Sequence, residues 1–463
     1  MAGDDARPSE MELTRLFELD LDTDCGQLRA APVNVDGDIC VLLVHAADAE
    51  VDPYMKMFFY PEDTLTFTFV DASGSVCWER DLGRGVVPGI WFCPVFPFDL
   101  DGDGTDSIWF VDNVDDKHPF DLDNYRLARL DPRSGEVTGR WEWPVPVAQK
   151  FSHRYRNFIL GGHADGDPVL VTAQGTYGEM TLQGWDSDLS RRWNHTVAAD
   201  GLGARGSHMC PVLDLDDDGS DEVLWGERAI SLDDGTELFC ADREKWDGHS
   251  DVVQPTRRED GGWYIYTVRE SNADQAPRVV TYDDEGERVW SVVESGHIDM
   301  GWTARLEPDA SHVAMAIRIG NKTAGTSGFG REGVEEFRFD AYTGEERDQP
   351  YPLYGAVPVD LDGDGLHELA YGGPRGSDVD GDVRDGKGEL LGNFEGTIAM
   401  ASKFLDHPGE QILTYTAGGH VAALGDANTE DTDRARERYG HPYYEKAQRL
   451  TAVGYNWVNL GGL

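Results

Sequence analysis

Short runs of β-branched and aromatic residues alternate with turns rich in Gly, Asp and Pro along most of the chain. Examples are 168–175 (PVLVTAQG), 263–270 (WYIYTVRE), 278–283 (RVVTYD), 313–320 (VAMAIRIG) and 411–419 (QILTYTAGG). Such runs predict strands, because apolar side chains recur every second residue and the flanking turns break the pattern. A 3.6-residue rhythm predicts helix in two stretches, Glu10 to Phe17 and Asp431 to Tyr439. Strands joined by tight turns with so little helix predict an all-β sandwich, barrel or propeller.

Two recurrent units select among these. One is an acidic loop, present at 98-FDLDGDGTDSIWF-110, 213-LDLDDDGSDEVLWG-226 and 359-VDLDGDGLHELAYGG-373. Carboxylates at alternate positions can converge on one hard cation, and the glycine permits the sharp turn between them. The expected calcium ligands are Asp99, Asp101 and Asp103; Asp214, Asp216, Asp218 and Glu222; and Asp360, Asp362, Asp364 and Glu368. In the first copy Ser107 stands at the closing position, beside Asp106. Weaker echoes are Asp20, Asp22 and Asp24, and Asp378, Asp380 and Asp382. The apolar run after each loop reads as a strand, not as the second helix of an EF-hand.

The other unit has the form Asp-x-x-Gly-x-apolar-x-Trp, at 71-DASGSVCWER-80, 131-DPRSGEVTGRWEW-143, 283-DDEGERVWS-291 and, truncated, 340-DAYTGEE-346. Each reads as a hairpin turn leading into an outer strand. Hairpins alternating with acidic loops, at a spacing of about 50 to 65 residues, predict a single propeller of seven or eight blades over 1–463. Residues 1–30 would be available to close the last blade.

The chain carries 87 acidic and 40 basic residues, a net charge of −47. Such a surface repels nucleic acid. With 13 Trp, 17 Tyr and 18 Phe it is not the composition of a disordered acidic tail, and the scattered acids suit a salt-adapted surface. The N-terminus has neither a basic start nor an apolar run of signal length, and no segment reaches the roughly 20 apolar residues of a membrane span. These features predict a soluble cytoplasmic monomer with no membrane partner. Cys25, Cys40, Cys77, Cys93, Cys210 and Cys240 are unclustered and read as small buried side chains, not as a disulfide frame or a zinc site.

The segment 206-GSHMCPVLDLDDDGSDEVLWGERAISLDDGTELF-239, followed by 248-GHSDVVQP-255, resembles the rhamnogalacturonan lyase family of propeller polysaccharide lyases. The order continues through 295-SGHIDMGWTARLE-307, 408-PGEQILTYTAGGHVAALGDAN-428 and 448-QRLTAVGYNWVNLGG-462, so the resemblance spans about the last 260 residues. It implies an eight-bladed, calcium-stabilised propeller that cuts an acidic polysaccharide by β-elimination. Trp302 stands where the family has an arginine. The stretch 392-GNFEGTIAM-400 is similar to the family's Asn-Gly-Thr-Lys segment, keeping Asn393 and Thr397 without the lysine.

Elimination needs a cation or Arg to neutralise the uronate carboxylate, a base for the proton beside it and an acid for the leaving oxygen. Candidates for these roles sit beside glycines or at strand ends, where a propeller presents side chains to its axis: His208, Arg228, His249, Arg269 and His297. Asp251 is placed either to orient His249 or to bind calcium through a main-chain turn. A basic cluster, His153, Arg154, Tyr155, Arg156 and His163, with Tyr177 after it, is the expected landing site for a polyanion. Trp302 and Asn393 join it through the resemblance. The calcium would be structural and available for catalysis, and the substrate an acidic poly- or oligosaccharide of the rhamnogalacturonan kind. Three other readings fit the same residues. They are a non-catalytic propeller that binds carbohydrate or protein, an ulvan-lyase-like enzyme using His, Tyr and Arg, and a glycoside hydrolase with two facing carboxylates.

Overall fold

The computed structural model describes residues 11–144, 150–270, 275–308, 311–326, 328–372, 380–450 and 460–463. Eight antiparallel sheets follow one another along the chain, an eight-bladed β-propeller. The innermost, first strands of blades 1 to 8 are Gln27–Val35, Val95–Phe98, Asn157–Ala164, Val212–Leu213, Ser250–Arg257, His297–Ala304, Ala356–Val359 and Thr397–Ser402. Seven blades have four strands. Blade 6 has three, and a separate hairpin, Asn321–Gly325 with Gly328–Glu332, is inserted before its last strand.

The expected helix over Glu10 to Phe17 is instead the strand Leu13–Asp20, which pairs antiparallel with His420–Asp426 as the outer strand of blade 8. A bulge between Arg15 and Phe17 explains the misreading. The extra residue breaks the alternation and leaves Leu13, Leu16 and Phe17 at helical spacing. The helix expected near 431–439 is present as Asp433–Tyr439, with Thr432 accepting the Ala435 N–H as N-cap. A second helix, Pro442–Arg449, was not anticipated. It touches the inner strands of blades 1 and 4 and so crosses the end of the central channel. Arg449 reaches Asp106 at 3.3 Å, Lys446 pairs with Asp221, and Arg438 lies 2.9 Å from Glu410.

The Asp-x-x-Gly…Trp unit has a physical reason that crosses blades. The tryptophan of one outer strand packs on the turn glycine of the next blade and donates its indole N–H to that turn. Trp193 of blade 3 donates to Leu232 O at 2.7 Å, and a Cβ on Gly235 would lie 2.8 Å from its ring. Trp78 makes the same contacts with Pro132 O and Gly135, and Trp290 with Ala341 O and Gly344. At the junction of blades 8 and 1, Phe17 takes the tryptophan's place against Gly74. Gly235 also has φ +74°, which a Cβ disfavours. Gly235→Val should therefore cost roughly 2 kcal/mol or more in a denaturant titration, from backbone strain plus displacement of the indole. An unchanged midpoint would refute the staple.

All six cysteines are free thiols, as expected, but they are not uniformly buried: Cys77 is exposed, and Cys40 and Cys240 are half-buried. None of the helices among the described residues is long and apolar enough to cross a membrane.

Candidate active site

The starts of the first strands of blades 3 to 6 converge on one end of the axis. Arg156 precedes the first strand of blade 3 and His208 that of blade 4. His249 and Asp251 open blade 5, and His297 and Asp299 open blade 6. The first strands of blades 5 and 6 each carry a bulge near this end, between Ser250 and Val252 and between Ile298 and Met300. The bulged residues are Asp251 and Asp299, and the extra residue re-aims each carboxylate. Main-chain hydrogen bonds tie blades 3 to 5 together here. Tyr177 N donates to Arg205 O, Arg205 N to Gly248 O, His208 N to Ser250 O and Glu270 N to His249 O, all within 2.7 to 3.2 Å.

Arg156, Tyr177, His208, Asp251, Glu270, His297 and Asp299 line a cavity of about 650 Å³, and His249 is buried just behind that lining. On one side His208 Nδ1 lies 3.4 Å and His249 Nε2 3.8 Å from Asp251 Oδ1. The two imidazoles are 4.4 Å apart between ring centres, with Tyr177 stacked on His249 at 4.3 Å and Trp91 5.0 Å from His208. Next to them His297 Nε2 sits 3.2 Å from Asp299, 3.5 Å from Glu270 and 3.8 Å from Asp251. The inserted hairpin of blade 6 adds Lys322 Nζ, 2.7 Å from Asp299, and Arg331 Nε, 2.5 Å from the same carboxylate.

The electrostatics divide the histidines. Burial pushes His249 down to about 3 and His208 well below its ordinary value, helped in each case by Arg156 and Lys322. Both rings are neutral and carry a lone pair. Burial would lower His297 too, but Asp251 and Asp299 outweigh it and lift it to about 9, so this ring is a cation at neutral pH. Burial and then the Glu270 charge raise Asp251 to about 6. Burial would likewise raise Glu270, yet the cations Lys322 and His297 beside it hold it below the usual carboxylate range.

Other candidates lie elsewhere. Arg228 is buried against Ala204 O and pairs with Glu237; Arg269 is fully buried between Glu227 and Asp242. Both belong to second or third strands, which do not reach the axis. His163 lies at the far end of its strand, with Asp221 near the C-terminal helix. Tyr155 is buried, donating its hydroxyl to Phe120 O, and Arg154 does not line the cavity. Trp302 is core, with its indole N–H on Ala356 O, and Asn393 is on the outer strand of blade 7 bonded to Asp382. Conversely, sequence reasoning missed Glu270, Asp299, Lys322 and Arg331. The signal for the last two was a pair of basic residues flanking a Gly-rich turn, 320-GNKTAGTSGFGRE-332, in a strongly acidic chain.

Among the described residues, two sets of groups have donor atoms close enough to hold a cation. At the cavity, His208, His249 and Asp251, and separately Asp251, His297 and Asp299, have donor atoms within 4.8 Å of one another. At the opposite end of the blades, where first and second strands join, the same holds for Asp99, Asp101 and Asp103, for Asp214, Asp216 and Asp218, and for Asp360, Asp362 and Glu368. Glu222 and Glu368 occupy equivalent places, accepting the N–H of Leu215 and Leu361. Of the echoes, Asp20 bonds His420 in blade 8, while Asp378 lies outside the described residues.

Residues 153–323 match the family model "Rhamnogalacturonan lyase family 11, C-terminal domain". The chain is 24% identical over 329 residues to the rhamnogalacturonan exolyase YesX of Bacillus subtilis (strain 168), covering 64% of this chain and 52% of that protein. It is 22% identical over 370 residues to the rhamnogalacturonan endolyase YesW of the same organism, covering 67% and 57%. It thus spans little more than half the length of these relatives. Among solved structures, exotype rhamnogalacturonan lyase YesX superposes with a TM-score of 0.75 at 18% identity, over 97% of this chain and 80% of that one. The Bacillus licheniformis rhamnogalacturonan lyase PL11 gives 0.73 at 17%, over 96% and 81%. The structural likeness therefore extends through the first 200 residues, where the sequence resemblance rested on acidic loops alone. The resemblance read from the sequence holds: this chain is similar to rhamnogalacturonan lyases and shares the β-propeller fold of their solved structures.

Proposed function

We propose that the chain is a polysaccharide lyase that cleaves a rhamnose- and uronate-containing polysaccharide, or oligosaccharides from it, by β-elimination. The observation that carries this is one cavity lined by the neutral imidazole of His208, with the neutral His249 packed directly behind it, beside the cations His297, Lys322 and Arg331. The pieces map onto the chemistry. Lys322, Arg331 and Arg156 receive the uronate carboxylate and offset the charge that builds on it as C5 loses its proton. That carboxylate, brought into a low-dielectric cavity, raises the basicity of a neutral imidazole beside it, and the stacked His208–His249 pair takes the proton, His208 being the ring that lines the cavity. His297, already protonated, returns one to the leaving O4. His208, His249 and Asp251 are also the groups that would hold a divalent cation. Their mixed nitrogen and oxygen donors admit a first-row metal as well as calcium, and such a cation would supply further neutralisation at the carboxylate. The test is incubation with rhamnogalacturonan in high salt with calcium, following ultraviolet absorbance of an unsaturated uronate. New reducing ends without that chromophore would mean hydrolysis, and no cleavage at all would leave a binding module.

In the blade loops the donors are all oxygen, which suits calcium. The loop at 360–368 fits best: Asp360 is fully buried, its Oδ1 has no hydrogen-bond partner, and burial pushes its carboxyl up to about 8. In the loop at 99–103, Arg129 lies 3.5 Å from Asp101 and supplies part of the countercharge itself. Chelation should lower the unfolding temperature, because an ion at a hundredfold its Kd contributes about 2.7 kcal/mol. A melting curve indifferent to chelator would remove the structural role.

A further inference from the structure

Part of the cavity lining comes from a different part of the chain, outside the span of the family match. Between the second and third strands of blade 1 runs a long connection, 47–65. It delivers Asp52, Tyr54, Lys56 and Met57 to the cavity, and the connection from blade 2 to blade 3 adds Lys150 and Ser152. The loop is anchored. Phe58 packs edge-on against Phe120 at 5.8 Å and Phe151 at 5.3 Å, pinning it to blade 2 and to the short helix Phe151–Arg154. Its acids other than the exposed Glu62 are engaged by backbone or by Arg156. Asp48 accepts the N–H of Glu62 and Asp63, Asp63 accepts that of Ala47, and Glu50 that of Ile90. Asp52, buried, lies 3.5 Å from the equally buried Arg156. The charge left facing this side of the cavity is therefore that of Lys56 and Lys150. Its apolar surface is unusually open: Tyr54 is 43% exposed, Met55 65% and Tyr60 77%. An anchored loop that presents an open aromatic edge and two ammonium groups beside a reaction centre has the composition of a ligand site.

Resting on the functional reading above, we infer that Tyr54, Lys56 and Lys150 form a second sugar subsite, which takes a uronate residue beyond the one undergoing elimination. The lysines hold its carboxylate and the tyrosine packs on the pyranose face. The substrate class is thus an oligosaccharide with at least two uronates, longer than a single uronate–rhamnose pair.

Calorimetric titration, at low temperature where turnover is slow, would use a rhamnogalacturonan disaccharide, the tetrasaccharide, and a tetrasaccharide whose carboxyls have been reduced to alcohols. A charge-assisted contact corresponds to about a tenfold change in affinity. The tetrasaccharide should therefore bind the unaltered protein at least about tenfold more tightly than the disaccharide. The carboxyl-reduced tetrasaccharide should lose that advantage. So should Lys56→Gln/Lys150→Gln, while Lys387→Gln, an exposed turn residue of blade 7, keeps it. Equal binding of both lengths to the unaltered protein, or an advantage that survives in the double variant, would overturn the subsite alone. Failure of every oligosaccharide to bind would overturn it together with the lyase reading.

Discussion

His249→Ala is expected to lower the rate of unsaturated product formation by roughly 10³-fold, the scale of a lost general base in a preorganised site. Several features single this ring out. It is 2% exposed, stacked on Tyr177, and its Nε2 is buried with no hydrogen-bond partner while facing Asp251. A buried polar atom left open in this way costs stability, so its retention directly behind the cavity lining, against His208 and Asp251, points to use. The same variant also separates two uses of the lone pair. If His249 takes the proton, the metal content of the purified protein is unchanged. If it ligates a cation, metal is lost together with activity. His208→Ala should behave in parallel, because its Nδ1 faces the same carboxylate. Full activity in both variants would sink the site.

Where the sequence was informative, the physics was local. Acidic loops and hairpin turns each fit within about a dozen residues, and their alternation was enough to predict the propeller. The site was legible only in part. His208, His249 and His297 could be picked out because they flank glycines at the start of inner strands. Arg228 and Arg269 carry the same local signal but belong to strands set back from the axis, which only blade register reveals. Asp299 reaches the cavity through a bulge that the sequence does not announce, and Lys322 and Arg331 through a hairpin inserted in blade 6. The Trp–Gly pairing was visible as a repeat, but its two members meet across neighbouring blades instead of within one. What was missed is what depends on strands brought together from distant parts of the chain.

Arg269 shows how such a residue can matter without touching substrate. Its Nε lies 2.8 Å from Glu227 Oε1 and one Nη 2.6 Å from Oε2. A second contact reaches Asp242 at 2.8 Å, and the guanidinium lies over Trp246. Glu227 in turn accepts the Ser250 hydroxyl at 3.0 Å, one residue before Asp251. Arg269→Met should lower stability by about 3 to 5 kcal/mol, because it strands a fully buried carboxylate without its countercharge. Pairing it with Glu227→Gln should recover part of the loss, since the uncompensated charge is then gone. The network also sets an acid limit. Burial would raise Asp242, but Arg288 and Arg269 outweigh it and hold its pKa below the unfolded value. Its contribution is therefore complete above the ordinary carboxylate range and is lost as pH falls through the depressed folded value, a dependence that Arg269→Met should flatten. Denaturant titrations at neutral and acid pH measure both effects. If Arg269→Met unfolds within about 1 kcal/mol of the parent yet loses activity, the arginine acts on substrate and the structural assignment is wrong.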